Sequence, residues 1–260
     1  MEALARQTPV KKTEKPPTIP YPGAKGRMAS TLVSFMPESG GLYVEPFAGR
    51  GNVFFAAAQR LSFASWQLND IATAPFFLAL QEHGGRVKVP ERSREEYDRQ
   101  KSRHKVGDPR AILLEPYLTF SGGGYSKGGY GGARSATSTG YTNTLRKCNA
   151  ILKSTSATVT SLDWREMGLE SLTSDDFVFL DPPYYGADVR AYTSVGFDHE
   201  KLVATLQKAR FRWLLTEYKQ PLYTKKLGRP FYEREVQLAC SRLGTSLGTR
   251  SRVECCWRNY

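Results

Sequence analysis

Histidine and cysteine are scarce in this sequence of 260 residues, with 3 and 4 occurrences. The cysteines lack the paired spacings of zinc sites, and the histidines are scattered outside every motif described below. Neither residue type favours a metal site, and we do not expect histidine-based catalysis. The residues concerned are His83, His104, His199, Cys148, Cys240, Cys255 and Cys256.

Long hydrophobic runs are also missing. No apolar stretch approaches the roughly 18 residues that a membrane span requires, and the amino terminus lacks the pattern of a signal peptide. We therefore expect a soluble, intracellular protein with reduced thiols. Cys255 and Cys256 lie in the largely apolar run Val253–Trp257, where they should act as small hydrophobic residues near the core.

Acidic residues are in the minority, since 25 Asp and Glu face 37 Lys and Arg, for a net charge of +12. Such a surplus favours a polyanionic partner, because neutralised phosphates supply much of the affinity for nucleic acids. On charge alone, a basic protein without such a partner is an equally good interpretation.

Apolar strand patterns alternate with helix patterns in the first third and the last part of the chain. This order predicts an α/β fold, with a parallel sheet covered by helices on both faces and an antiparallel pair closing one edge. The predicted strands are Leu42–Val44, Ala64–Leu68, Ala157–Leu162, Asp176–Leu180, Phe211–Thr216, Phe231–Ala239 and Val253–Trp257. The predicted helices are Arg27–Met36, Asn52–Leu61, Thr73–Gln81 and His199–Ala209, with Asn52 as the expected N-cap of the second.

The middle of the chain departs from this rhythm. Residues 84–154 are first densely charged and then rich in Gly, Ser, Thr and Tyr, with helices predicted at Ala111–Phe120 and Thr142–Leu152. Because the segment is too long for an ordinary loop, we interpret it as an inserted, mainly helical module. Residues 19–83 and 155–260 then form the main domain, and residues 1–18 form a flexible basic tail.

The sequence Asp181-Pro182-Pro183-Tyr184 follows a predicted buried strand. Functional sites of open α/β sheets lie at the carboxyl ends of strands. Two prolines remove two backbone donors, which leaves the Asp181 carboxylate and the Pro182 carbonyl as neighbouring acceptors. Such a pair suits an exocyclic amino group, and Tyr184 can stack on the base that carries it. The alternative is a proline-rich turn beside a core tyrosine.

A glycine turn, Glu45-Pro46-Phe47-Ala48-Gly49-Arg50-Gly51, connects an earlier predicted strand to a helix. Glycines there let a ligand approach the backbone closely. A phosphate-binding loop would need Gly-Lys-Ser/Thr, which is absent, and Glu45 would repel phosphate but is compatible with a cationic ligand. A turn that merely connects two elements is the alternative.

Asp70 ends the next predicted strand, about 20 residues after the glycine turn, a spacing at which an acid can accept from both ribose hydroxyls of an adenosine cofactor. An N-cap of the following helix is an equally good interpretation of this residue.

In this order, the motifs resemble the Dam-type, DPPY class of DNA adenine-N6 methyltransferases, over residues 19–260. The segment from Tyr21 to Lys25 resembles the family's amino-terminal cofactor motif, and Asp163 resembles the residue that meets the cofactor's adenine ring. Trp213–Glu217 is similar to the strand beyond the target-base pocket, and Gly248-Thr249-Arg250 to a loop before the final strand.

The resemblance implies a Rossmann-like, S-adenosylmethionine-dependent methyltransferase sheet and transfer of a methyl group to an adenine flipped out of double-stranded DNA. The implied catalytic residues are Asp181, Pro182 and Tyr184. The implied cofactor-binding residues are Tyr21, Gly23, Lys25, Glu45, Phe47, Gly49, Gly51, Asp70, Asp163 and Asp181. The resemblance also implies a cytoplasmic, nucleoid-associated enzyme of bacterial or phage type, as in restriction-modification systems.

By position, residues 84–154 should be the target-recognition module of that family. Tyr125 and Tyr130 can wedge into a vacated base stack, and Lys127 or Arg134 can contact phosphates or guanine. A flexible, low-complexity loop is an equally good interpretation of this stretch.

Two further functions stay open at this point. One is an RNA methyltransferase that modifies an exocyclic amine, although the Tyr21–Lys25 motif and the late position of Asp181–Tyr184 argue against it. The other is a non-catalytic nucleic-acid-binding protein on a methyltransferase scaffold, against which the intact Asp181 and Tyr184 count.

Overall fold

The computed structural model describes residues 15–126, 128–132, 136–186, 196–238 and 250–260. The strands in this part of the chain are β1 (Ser39–Glu45), β2 (Ser62–Asn69), β3 (Thr158–Thr160), β4 (Phe177–Leu180), β5 (Arg212–Tyr218), β6 (Tyr232–Leu238) and β7 (Arg250–Arg258). These seven strands pair into one sheet, in the order β3-β2-β1-β4-β5-β7-β6.

Strand directions follow the predicted pattern. β1 pairs with β4, β4 with β5, and β2 with β3, all in parallel. β7 is antiparallel to both of its neighbours, β5 and β6. The α/β, Rossmann-like sheet with an antiparallel pair at one edge is therefore confirmed.

The chain divides into two compact units. One of them consists of residues 39–48, 63–74 and 157–260 and holds nearly all of the sheet; we call it the sheet unit. Helices α7 (His199–Gln207) and α8 (Pro221–Leu227) belong to it, and Leu202 and Tyr223 from these helices join a buried cluster with Leu180, Leu215 and Trp257 of the strands. Cys255 and Cys256 are fully buried in β7, which confirms their predicted role as small core residues.

The second unit consists of residues 1–38, 49–62 and 75–156 and is helical; we call it the helical unit. Its helices are α1 (Ala29–Ser34), α2 (Asn52–Ala57), α3 (Ala74–His83), α4 (Arg94–Lys105), α5 (Pro109–Leu118) and α6 (Ser138–Thr155). The helical character predicted for residues 84–154 is thus confirmed. The boundaries of that module, and its role, stay predictions.

Two details of the sequence interpretation were wrong. Asn52 does not cap α2, because Gly51 occupies the cap position in a left-handed conformation and the Asn52 side chain bonds the main chain of Ile19 instead. Helix α8 was missed, although Pro221 in its first turn and Lys225 in its last turn are ordinary signals of helix ends.

Candidate active site

The amide side chain of Asn69, the last residue of β2, ties three strand ends together. Its Nδ2 atom donates to the carbonyl oxygens of Pro46 and Leu162, each at 3.0 Å, and its Oδ1 atom accepts from the backbone amide of Leu162 at 2.8 Å. Pro46 follows β1 and Leu162 follows β3. The turns after β1, β2 and β3 therefore meet at the carboxyl ends of the strands.

Asp181 follows β4, and its carboxylate is oriented from the neighbouring strand. Leu180 pairs with Leu215 of β5, so Thr216 extends β5 beyond the end of β4. The buried hydroxyl of Thr216 donates to Asp181 Oδ1 at 2.6 Å. A hydrogen bond to one oxygen restricts rotation of the carboxylate, so β5 positions Asp181.

The next residue of β5, Glu217, holds the backbone that follows Tyr184. Its fully buried carboxylate accepts from the backbone amide of Tyr185 through both oxygens, at 3.1 and 3.0 Å, and from the amide of Tyr218 at 2.6 Å. His199 Nδ1 lies 3.7 Å from Glu217 Oε2 and 2.7 Å from the hydroxyl of Tyr223. Burial lowers the pKa of His199, which favours its neutral form.

Tyr184, shortly after the end of β4, is half-buried. Its ring lies edge-to-face with that of Tyr218, with the centroids 4.6 Å apart. Burial raises the pKa of Tyr184 well above its ordinary value, and the charges of Asp181 and Glu254 raise it further. The phenol is therefore neutral, and the part of its ring that is exposed offers a flat apolar surface.

Glu45, the last residue of β1, is buried and accepts from the hydroxyl of Tyr43 at 2.6 Å. Burial raises its pKa from 4.5 to about 8, the Tyr43 bond opposes the shift, and the charge of Asp181 adds to it. A buried acid whose ionisation is this unfavourable gains from a nearby cation. The end of β1 therefore suits a positively charged ligand group.

An aromatic cluster lies beside the end of β1. The ring of Phe47 is 5.4 Å from Phe197 and 6.4 Å from Trp164, and Trp164 lies 6.1 Å from Phe197. Of these, sequence reasoning selected only Phe47. Trp164 directly follows the selected Asp163, and Phe197 stands just before a predicted helix, so neither carried a signal of its own.

Two of the predicted cofactor acids bond nearby groups of the chain. Asp70 Oδ1 accepts from the amides of Ala72 and Thr73, both at 2.9 Å, in the turn before α3, which begins at Ala74. Asp163 accepts from the amide and the guanidinium of Arg165, which holds the pKa of this carboxyl below its ordinary value. Asp70 therefore stabilises the turn ahead of α3, and the cofactor roles of both acids stay predictions.

The helical unit brings together the other predicted cofactor residues. Gly49 and Gly51 have φ values of 54° and 72°, a conformation that favours glycine, and a Cβ atom on Gly49 would lie 3.4 Å from the Tyr21 ring. Lys25 Nζ donates to the carbonyl of Gly23, which also has a positive φ. The amino-terminal motif thus lies against the glycine turn, as their shared predicted role requires.

Arg50, between the two glycines, is buried with a charged partner. Its Nη2 atom lies 2.5 Å from Glu115 Oε2, and its guanidinium lies 4.5 Å from the ring of Phe76 and 5.6 Å from that of Tyr21. Glu115, on α5, also accepts from the backbone amide of Tyr125 at 3.0 Å. Sequence reasoning missed this pair, because its members are 65 residues apart.

The residues selected for DNA contact have different environments. Tyr125 is 3% exposed, with its ring 5.6 Å from that of Tyr97, so its ring would have to leave this packing to enter a base stack, and its role stays a prediction. Tyr130 is half-buried and stays a candidate. Lys127 and Arg134 lie outside the described residues, as do Gly248 and Thr249 and residues 1–14 of the predicted tail.

The described residues contain neither a cluster suited to a metal ion nor a helix suited to a membrane. In the ranges given above, no set of three or more His, Cys, Asp and Glu side chains is arranged to hold a metal ion. Within the same ranges, no helix has both the length and the apolar character that crossing a membrane requires.

Comparison with known proteins gives one family match. Residues 21–83 and 122–222, well over half of the chain, match a family model described as D12 class N6 adenine-specific DNA methyltransferase. A search of curated proteins finds no match.

Two solved structures are similar to this chain, with TM-scores below 0.5. The precorrin-6y C5,15-methyltransferase of Geobacter metallireducens GS-15 is 11% identical, with a TM-score of 0.37, over 89% of this chain and 86% of that one. The precorrin 8w decarboxylase of Methanobacterium thermoautotrophicum is 13% identical, with a TM-score of 0.38, over 98% of this chain and 100% of that one. Scores this low add no argument about function.

Proposed function

Because the chain belongs to the D12 class of N6 adenine-specific DNA methyltransferases, we propose that it methylates the amino group of an adenine flipped out of double-stranded DNA. The observation that carries the proposal is the orientation of the Asp181 carboxylate at the end of β4. Asp181 is held by Thr216, and the backbone after Tyr184 is held by Glu217.

Asp181 and the Pro182 carbonyl accept the two N–H bonds of the adenine amino group in this mechanism. Acceptance favours localisation of the nitrogen lone pair, which is otherwise delocalised into the ring and poorly nucleophilic. Thr216 contributes by fixing one oxygen of Asp181 at 2.6 Å before the base arrives. Such preorganisation of hydrogen-bonding groups is a main source of rate enhancement in enzymes.

Tyr184 stacks on the flipped base in this proposal, where base–aromatic stacking contributes about 1–3 kcal/mol. Flipping itself costs a few kcal/mol. Phosphate contacts from the basic surface of the protein, which has a net charge of +12, help to offset that cost.

The proposed methyl donor is S-adenosylmethionine, which when bound would supply an electrophilic methyl group: the S–CH3 bond would break as the N–CH3 bond forms, S-adenosylhomocysteine would leave, and one amino proton would be released to solvent. The sheet unit fits such a donor, because buried Glu45 favours a cationic neighbour and Phe47 belongs to an apolar aromatic cluster. Asp70 and Asp163 are the proposed partners of its ribose and adenine. Tyr21, Gly23, Lys25, Gly49 and Gly51 of the helical unit are the further proposed contacts.

The proposed target-recognition module is residues 84–154, with Tyr125, Lys127, Tyr130 and Arg134 as the proposed DNA contacts. Residues 19–83 and 155–260 form the proposed catalytic domain. A cytoplasmic, nucleoid-associated location and a part in restriction-modification are proposals of the same kind.

Transfer of a labelled methyl group tests this function and its main alternative. We expect incorporation into duplex DNA as N6-methyladenine, and none into structured RNA. Asp181→Ala should abolish incorporation with no change in melting temperature, whereas the control Glu200→Ala, an exposed acid on α7, should be fully active. Incorporation into RNA alone would overturn the DNA proposal, and an active Asp181→Ala variant would overturn the mechanism.

A further inference from the structure

Glu254 is a residue of β7, in the sheet unit. In the strand register it lies opposite Tyr218 of β5 on one side and opposite Arg234 of β6 on the other. Its side chain is only 6% exposed. A carboxylate this deeply buried is costly unless its oxygens accept hydrogen bonds.

Both oxygens of Glu254 are engaged. Oε1 accepts from the hydroxyl of Tyr184 at 2.8 Å. Oε2 accepts from Arg234 Nε at 2.8 Å, and Arg234 Nη2 lies 2.7 Å from the same oxygen. The guanidinium thus fixes the carboxylate, and the carboxylate in turn fixes the hydroxyl of the tyrosine.

Two constraints then act on the Tyr184 ring. The Glu254 bond fixes the position of its hydroxyl, and the edge-to-face contact with Tyr218 at 4.6 Å limits rotation of its plane. An aromatic ring held in place before a ligand arrives loses less conformational entropy when the ligand stacks on it.

We propose that Glu254 is a positioning residue for the target base, acting through the hydroxyl of Tyr184 and held in turn by Arg234. The inference rests on the proposed function, in which Tyr184 stacks on the flipped adenine. It gives the antiparallel edge of the sheet a part in the reaction, through a carboxylate 70 residues after the tyrosine that it holds.

A double-mutant cycle tests the inference. Tyr184→Phe keeps the ring and removes the hydroxyl, and Glu254→Met removes the acceptor at similar length. Each should lower kcat for duplex DNA about tenfold, because a hydrogen bond to a charged group is lost. The KM for S-adenosylmethionine should be unchanged. The double variant should lose less than the product of the two single losses, since both changes break the Tyr184–Glu254 bond.

Two further variants separate positioning from general support of the fold. Glu254→Gln keeps an oxygen that accepts from Tyr184, so it should recover part of the lost kcat. Glu235→Gln makes the same charge change at an exposed position on β6 and should have wild-type kcat. If Glu254→Met fails to fold, as its melting curve would reveal, Tyr184→Phe alone decides.

The possible results separate the two proposals. Wild-type kcat in Tyr184→Phe, or multiplicative losses in the double variant, would overturn the positioning role while leaving DNA methylation intact. A wild-type protein that does not methylate duplex DNA would overturn the proposed function, and the positioning role with it.

Discussion

Two buried acids, Glu45 of the sheet unit and Glu115 of the helical unit, have different surroundings. Burial raises the pKa of Glu45, and the nearby charge of Asp181 raises it further. Glu115 is instead paired directly with the guanidinium of Arg50, as Glu254 of the sheet unit is with that of Arg234. Burial and a nearby like charge both oppose ionisation, whereas the partners of a buried ion pair stabilise each other's charges.

This difference sets Glu45 apart from the paired acids. A carboxyl with a strongly perturbed pKa at the carboxyl end of a strand is a marker of a functional site. Paired charges are more typical of groups that hold other residues in place. We therefore propose that the reaction takes place at the strand ends of the sheet unit, and that the Arg50–Glu115 pair supports the glycine turn.

The largest effect is expected from breaking the helical pair. Arg50→Met leaves Glu115 buried without its guanidinium and should lower the free energy of unfolding by about 3–5 kcal/mol. Urea denaturation measures the loss. Arg94→Met is the matched control, since the Arg94–Asp98 pair is exposed and should contribute less than about 1 kcal/mol. Equal stability of both variants would show that the buried pair supports nothing.

The next effect is a dependence of stability on pH in the sheet unit. The folded-state pKa of Glu45, about 8, exceeds its ordinary 4.5. Its contribution to stability is therefore complete below about pH 4.5 and is lost as the pH rises through about 8. We expect a loss on the order of a few kcal/mol, measured by urea denaturation at several pH values. Glu45→Gln cannot titrate and should flatten the profile; an unchanged profile would contradict the assigned shift.

A smaller effect is expected at the backbone that follows Tyr184. Glu217→Gln keeps one acceptor for the Tyr185 amide and loses the other, so kcat should fall about tenfold. Steady-state kinetics with duplex DNA measures the change. Glu233→Gln makes the same substitution at an exposed residue of β6, and it should leave kcat unaltered. Equal kcat values in the two variants would show that Glu217 has no role in the reaction.

The smallest effect is expected for Thr216→Val, which removes the hydroxyl that orients Asp181. Because the Asp181 carboxylate itself is retained, kcat should fall only about threefold to tenfold. Thr216→Ser retains the hydroxyl and should restore most of the activity in the same assay. Similar losses in both variants would point to packing rather than to the hydrogen bond.

The order of strands and helices could be predicted from the sequence, because apolar periodicity is a local property. Asp181 and Glu45 were likewise found from their neighbours in the chain. The residues that orient these two acids could not be predicted in this way. The bond from Thr216 to Asp181, for example, depends on the register of β5 against β4. Local patterns do not encode such pairings.

Two local environments could not be predicted from the sequence, for the same reason. The burial of Tyr125, whose segment is rich in Gly, Ser and Tyr, depends on α4 and α5, which contribute Tyr97 and Glu115. Asn52 matched the composition of a helix cap but bonds Ile19, a residue 33 positions earlier. In both cases a contact distant in sequence overrides a local preference.

The most direct test of the account is the single-turnover rate of methyl transfer to duplex DNA in Asp181→Asn, alongside its affinity for S-adenosylmethionine. Asparagine keeps the size of the side chain and removes the charge that accepts from the amino group. We predict a rate about a thousandfold below wild type, with an unchanged melting temperature and a much smaller loss of cofactor affinity, since Asp181 is also one of the implied cofactor contacts. A rate near that of the wild type would contradict the account.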